Sequence, residues 1–211
     1  MMKRVVSPRK IIKFVLMIII VILVIFIITF LIKTLKKEKN LEPQITVIDK
    51  LENYGYQLTE NETEYYKKLF NDLKIVLNEE IVDEKQYAKL ISQLFITDFF
   101  NLDNKVTKND VGGTEFIYSE FISDFEKYAK DSIYKLVESN VYKDRKQDLP
   151  VVTRVSVDEI KQNKFKHLDK EYDNAYYVSV SIEYEKDLGY PKKSNIVIIQ
   201  SDNKLEIAKM D

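Results

Sequence analysis

Residues 176–185 read YYVSVSIEYE, a stretch in which large apolar residues alternate with small or charged residues. The large residues share one face: Tyr176, Val178, Val180, Ile182 and Tyr184. The opposite face carries Ser179, Ser181, Glu183 and Glu185. A two-residue period with one polar face is typical of an antiparallel strand that is buried on one side. The stretch therefore predicts a sheet with one face on a core.

Three neighbouring stretches extend this sheet. Residues 151–157 alternate in the same way, and residues 194–200 are more apolar throughout, as expected of a central strand. Residues 201–204 read SDNK, which suits a two-residue hairpin turn into a last strand over residues 205–210. The C-terminal part of the chain thus predicts a meander of about four antiparallel strands.

Three stretches with helical spacing precede the strands. The first follows TENE at residues 59–62, which has the form of a capping box, and its apolar residues are Tyr66, Leu69, Phe70, Leu73, Val76 and Leu77. The second starts at the cap Asp83 and carries Tyr87, Leu90, Ile91, Leu94 and Phe95. The third covers about residues 119–139, with Phe121, Phe125, Tyr128, Ala129, Ile133 and Leu136 inward. With a short extended piece over residues 46–58, these predict an α+β domain with three helices packed on one face of a curved sheet.

The N-terminal part contains an uncharged apolar run, FVLMIIIVILVIFIITFLI, from Phe14 to Ile32. At about 1.5 Å per residue the run spans roughly 28 Å, close to the ~30 Å hydrocarbon core of a bilayer. It is longer than the apolar region of a signal peptide, and no Ala-x-Ala site follows it. We therefore predict a basic tail over residues 1–13, a transmembrane helix over 14–32, a linker over 33–44 and the α+β domain over 45–211.

Charge is distributed unevenly along the chain. Residues 1–39 hold nine Lys and Arg residues and one Glu, whereas residues 40–211 hold twenty-four Lys and Arg residues and thirty-three Asp and Glu residues. The basic N-terminal part suits contact with anionic lipid headgroups, and the acidic remainder argues against nucleic-acid binding. Five cations precede the apolar run and four follow it closely, so the positive-inside rule favours a cytoplasmic N-terminus and an extracytoplasmic domain. High Lys, Ile, Asn and Tyr usage suggests a low-GC bacterium, so we expect the transmembrane helix to lie in a bacterial cell membrane.

Residues 98–113, DFFNLDNKVTKNDVGG, contain the one candidate site. Asp98 falls on the apolar stripe of the second predicted helix, where a carboxylate requires a partner. The candidates are the backbone N–H groups near Gly112 and Gly113, or tyrosine hydroxyls. Two interpretations follow: Asp98 is a structural lock that holds the loop to the helix, or it is a base or ligand contact in a pocket.

Other chemical motifs are lacking. The loop has no EF-hand spacing, because Lys105 and Thr114 stand where calcium ligands would be needed. The chain has no cysteine and a single histidine, His167, so no zinc site is predicted. We therefore predict no metal, no cofactor and no catalytic residue.

An N-terminal anchor followed by helices and then a curved antiparallel meander resembles the cone-shaped fold of nuclear transport factor two and its relatives, over roughly residues 45–211. Membrane-anchored relatives include inner-membrane assembly proteins of type IV secretion and related conjugation proteins of Gram-positive bacteria. The chain also resembles uncharacterised single-pass proteins of low-GC Gram-positive bacteria. The fold often places a strand hairpin between its second and third helices, and here only the loop over residues 105–116 could provide it.

The resemblance implies a non-enzymatic scaffold that binds other envelope proteins and forms homo-oligomers. Two alternatives stay open. One is a binding module whose cone pocket holds a peptide, a lipid or a cell-wall fragment beside Asp98. The other is an enzyme that uses Asp98 as its base.

Overall fold

The structure is a computed structural model that describes residues 8–39 and 46–211, with side chains over residues 16–33 and 46–211. It confirms the α+β class, with one apolar N-terminal helix and a four-stranded antiparallel sheet. The chain divides into two compact units, Met1–Pro43 and Gln44–Asp211.

The described part of the N-terminal unit is the helix α1 (Pro8–Lys39). It includes Phe14 and Ile32, begins within the predicted tail and continues into the predicted linker. The segment Leu16–Lys33 has no buried residue, and by length and composition it is sufficient to cross a membrane. The rest of the predicted tail and linker, residues 1–7 and 40–44, lies outside the described residues.

The sheet forms roughly the C-terminal third of the second unit. Its strands are β3 (Val152–His167), β4 (Lys170–Tyr184), β5 (Lys193–Ser201) and β6 (Lys204–Met210), and their order in the sheet follows the sequence. The predicted two-residue turn joins β5 to β6, and Asp202 in this turn has a φ of 52°. A separate hairpin of β1 (Val47–Leu51) and β2 (Tyr56–Thr59) precedes the helices, with Gly55 at a φ of 74°.

The helices of this unit are α2 (Glu64–Leu77), α3 (Glu84–Phe100) and α4 (Ile122–Asp131). Asp83 caps α3, because its side chain accepts a hydrogen bond from Gln86 N–H. The apolar faces of α2 and α3 pack with one face of the sheet into a single core, which includes Phe70, Leu94, Val178 and Ile198. This core follows directly from the alternating pattern of β4.

The structure corrects two helix boundaries. The first helix begins at Glu64 with Thr63 as its cap, not at the predicted capping box, because the Thr59 hydroxyl instead donates to Asn61 Oδ1 at 2.7 Å. The third predicted helix ends at Asp131 and not near residue 139.

Two predicted core residues of that third helix are exposed. Tyr128 is 74% exposed and Leu136 is 77% exposed. After Asp131 the chain turns, and Tyr134 becomes fully buried. Tyr134 is thus buried after a turn of the chain and not on the continued third helix that the apolar spacing predicted.

Strands β3 and β4 are longer than predicted. Their outer ends form a ribbon that pairs from Asn163–Ala175 to His167–Lys170. Most residues of the ribbon are polar on both faces, so no alternation marked them as strand. Between α3 and α4, residues 101–121 form short 3-10 turns and no strand, so the loop over residues 105–116 does not supply a hairpin.

Candidate functional site

Asp98 lies in the last turn of α3, and its side chain is 15% exposed. Both of its carboxylate oxygens have partners. The Lys105 ammonium donates to Oδ1, and the backbone N–H of Gly113 donates to Oδ2 at 2.6 Å. The carboxylate therefore joins the end of α3 to both ends of the loop that follows it.

Lys105 is a buried cation, only 4% exposed. Burial by itself lowers the pKa of its ammonium group, but the Asp98 carboxylate together with Tyr134, Glu62 and Asp110 outweighs burial, and the pKa is raised above its ordinary value. The Lys105 backbone is held as well, because the buried Arg145 side chain donates from Nη1 to the Lys105 carbonyl at 2.8 Å. The cation is therefore a fixed part of the loop.

The two loop glycines are required by close packing. A Cβ on Gly112 would lie 2.5 Å from the Asp98 carbonyl oxygen. Gly113 has a φ of +76°, and a Cβ there would lie 2.6 Å from a ring carbon of Phe95. The Tyr134 hydroxyl completes the turn, because it accepts from Gly112 N–H at 3.0 Å and donates to the Phe99 carbonyl at 2.7 Å.

Two further carboxyl groups surround this ion pair. Burial and the nearby Asp98 charge raise the pKa of Glu62 to about 7 and the pKa of Glu115 to about 8. The Glu115 carboxylate accepts from Gln57 N–H at 3.3 Å and from the Tyr66 hydroxyl at 3.4 Å. The cluster thus connects α2, the end of α3 and the β1–β2 hairpin.

A small cavity of about 130 Å³ opens beside these groups. Its lining includes Glu62, Asp98, Lys105, Gly112, Gly113 and Glu115. Pockets that hold drug-sized ligands are usually about 300–1,000 Å³, so this cavity has room for a few water molecules or a very small ligand. A base role for Asp98 would first require the loss of its contact with Lys105 or with Gly113.

The three site residues predicted from sequence, Asp98, Gly112 and Gly113, lie together in the structure. Sequence reasoning missed Lys105, because a lysine within a polar loop normally indicates a solvated side chain. It also missed Glu62 and Glu115, which no spacing connects to Asp98. His167 lies apart, exposed at the end of β3, with its ring centroid 4.7 Å from that of Phe121.

Among the described residues, no group of three or more His, Asp or Glu side chains could hold a metal ion. Comparisons with protein-family models, with curated proteins and with solved structures found no match for this chain. The function must therefore be argued from the physical features of the molecule.

Proposed function

We propose that this chain is a single-pass protein of a bacterial cell membrane, and that its α+β domain lies outside the cytoplasm and binds other envelope proteins without catalysis. The observation that carries the proposal is the exposed apolar surface of α1, where Leu16–Lys33 has no buried residue. An apolar helix of this length is stable when lipid surrounds it.

The Asp98 site supports a non-enzymatic domain. Its carboxylate already holds Lys105 and Gly113, and the cavity beside it is about 130 Å³. These contacts suit a structural lock that fixes the loop after α3. In this proposal the helices and sheet form the cone-like arrangement of scaffold domains, and homo-oligomers are one form of the assembly.

Membrane insertion is tested by alkaline carbonate extraction of the full-length protein. The wild type should remain in the membrane pellet. The matched variant Ile22→Lys/Ile25→Lys should be released, because each lysine at the helix centre costs about 3 kcal/mol of insertion free energy. Release of the wild type would contradict the proposal.

Orientation is tested by thiol labelling, for which the absence of cysteine gives a clean background. Asn203→Cys places a thiol in the exposed β5–β6 turn, and Ser7→Cys places one before α1. A membrane-impermeant maleimide should label Asn203→Cys in intact cells and leave Ser7→Cys unlabelled. The opposite result would place the domain in the cytoplasm.

Scaffold function is tested by purification of the full-length protein from its native membrane in mild detergent, followed by mass spectrometry. Stoichiometric recovery of other envelope proteins is the expected result. A preparation without partners would contradict the assembly function.

A further inference from the structure

Strand β3 forms one edge of the four-stranded sheet, because it lies at one end of the strand order. An edge strand has an outward row of backbone N–H and C=O groups that can pair with a strand of another chain. Native proteins protect such edges with bulges, with lysine side chains or with a covering segment. β3 is sixteen residues long, so its edge requires extensive protection.

The backbone of Val155, in the inner part of β3, is hydrogen-bonded by side chains from two helices. Its N–H donates to the Tyr65 hydroxyl at 2.9 Å, and that hydroxyl donates to the Val155 carbonyl at 3.1 Å. Gln93 Nε2 donates to the same carbonyl at 2.7 Å. A hydroxyl from α2 and an amide from α3 therefore make the hydrogen bonds that a neighbouring strand would make. We call these two side chains, Tyr65 and Gln93, the edge cap.

The edge cap acts through its polar groups and not by close packing. Tyr65, Gln93 and Val155 line a cavity of about 610 Å³ between α2, α3 and β3, and both side chains of the cap are half-buried. Without the hydroxyl and the amide, the N–H and C=O of Val155 would face this open space. Because a backbone N–H or C=O requires a partner, these groups could then bind water or another chain.

The rest of the β3 edge is protected in two other ways. Pairing with β4 shifts register on both sides of Val155, and such bulges interrupt the regular row that a partner strand needs. Farther along, β3 carries the exposed Lys161, Lys164 and Lys166. Lysines on an edge strand disfavour pairing, because two copies would bring like charges together. The edge cap covers the regular stretch that lies between the two register shifts.

The opposite edge of the sheet, strand β6, is covered by main chain. Tyr118 N–H donates to the Ile207 carbonyl at 2.9 Å, and Ile117 pairs with Ile207 as a parallel bridge. One edge is thus closed by a segment of the chain, whereas the other is closed at Val155 by side chains. A closure by side chains can be removed by substitution while the course of the backbone stays the same.

We propose that the edge cap keeps a second copy of the chain from pairing with β3. A second copy is the partner to be excluded, because it carries the same edge strand, and two identical edges can pair about a two-fold axis. This inference goes beyond the proposed function, since it specifies a surface through which homo-oligomers do not form.

The test is fluorescence anisotropy of a fluorescein-labelled peptide with the sequence of residues 152–162, VTRVSVDEIKQ, which represents the edge of a second copy. The protein is the full chain in uncharged detergent, and the wild type should bind the peptide weakly. Tyr65→Phe/Gln93→Leu removes the hydroxyl and the amide and keeps most of the side-chain volume. It should bind at least about tenfold more tightly, because the N–H and C=O of Val155 become available.

Two controls isolate the cause of this gain. The matched variant Tyr184→Phe/Gln147→Leu removes the same two groups elsewhere, where they donate to the carbonyls of Pro191 and Leu136, and it should bind within about twofold of wild type. A second peptide has proline in place of the valines at positions 155 and 157. Because proline lacks the N–H that a strand pair needs, this peptide should bind Tyr65→Phe/Gln93→Leu no better than it binds the wild type.

Three results would overturn the inference: no gain in Tyr65→Phe/Gln93→Leu, an equal gain in the matched variant, or equal binding of the proline peptide by Tyr65→Phe/Gln93→Leu. Near-ultraviolet circular dichroism shows whether the variants are folded. If the double variant is unfolded, Gln93→Leu takes its place, because it keeps both contacts of Tyr65 with Val155. This single variant should gain about threefold, and binding equal to that of the wild type would then overturn the inference.

Discussion

Replacement of Asp98 by Asn should strongly destabilise the domain, because it leaves the Lys105 ammonium buried without its counter-charge. Lys105 is 4% exposed, and its only ion pair within the described residues is with Asp98. Removal of one partner of a buried pair costs about 3–5 kcal/mol of unfolding free energy. For a domain of this size that loss corresponds to a Tm decrease of roughly 10 °C.

Unfolding can be followed by the near-ultraviolet circular dichroism of tyrosine. The chain has fourteen tyrosines and no tryptophan, and all the tyrosines lie after residue 46, so the signal reports the α+β domain and not α1. The exposed Asp144→Asn is the matched control and should change the unfolding free energy by less than about 0.5 kcal/mol.

The double variant Asp98→Asn/Lys105→Met tests the cause. It removes both charges, so it should lose about 2 kcal/mol less than the sum of the two single variants. A loss for Asp98→Asn no larger than that of Asp144→Asn, or strict additivity in the double variant, would refute the ion-pair lock.

Three further predictions concern the groups around this lock. The pKa values of Glu62 and Glu115 are raised above those of the unfolded chain, to about 7 and about 8, so the stability they contribute is complete below pH ~4.5 and is lost as the pH rises through those values. The domain should therefore lose roughly 4 kcal/mol between pH 6 and pH 9 in urea titrations, and Glu62→Gln/Glu115→Gln should flatten this dependence. An unchanged slope would exclude these carboxyls as its source. Gly113→Ala should cost about 2–4 kcal/mol of unfolding free energy, because it combines a positive φ with a Cβ 2.6 Å from a ring carbon of Phe95. The control Gly189→Ala has a φ of +79° and no atom within 4 Å of its Cβ, so it should cost only about 1 kcal/mol. Equal losses for the two variants would show that packing around Gly113 plays no part. Tyr134→Phe should cost about 1–3 kcal/mol in the same titrations, because it leaves a buried N–H and a carbonyl without their shared hydroxyl, and a neutral result would contradict that role.

Local patterns were sufficient for much of the fold. The alternation over residues 176–185 predicted a strand with one buried face, and the structure buries Val178, Val180 and Ile182 in the core. Asp83 was predicted as a helix cap and caps α3. These predictions succeeded because strand period, helix capping and apolar length depend on residues that are near one another in sequence.

Other features depend on contacts between distant segments. The third helix was expected to continue to about residue 139, but Tyr134 turns inward to reach the Phe99 carbonyl, thirty-five residues earlier. The outer ribbon of β3 and β4, from the Asn163–Ala175 pair to the His167–Lys170 pair, carries no clear alternation, because none of its residues belongs to the main core. Its strands form because each completes the backbone hydrogen bonds of the other.

The sequence by itself determined that the chain has an apolar helix long enough to span a membrane, that an α+β domain follows it, and that Asp98 needs a partner on a core-facing stripe. Only the tertiary structure decided that the partner is Lys105 and that Glu62 and Glu115 lie around the pair. The physical reason is that the burial of a charge and its distance from other charges depend on which segments the fold brings together, and residues that are near one another in sequence do not specify those distances.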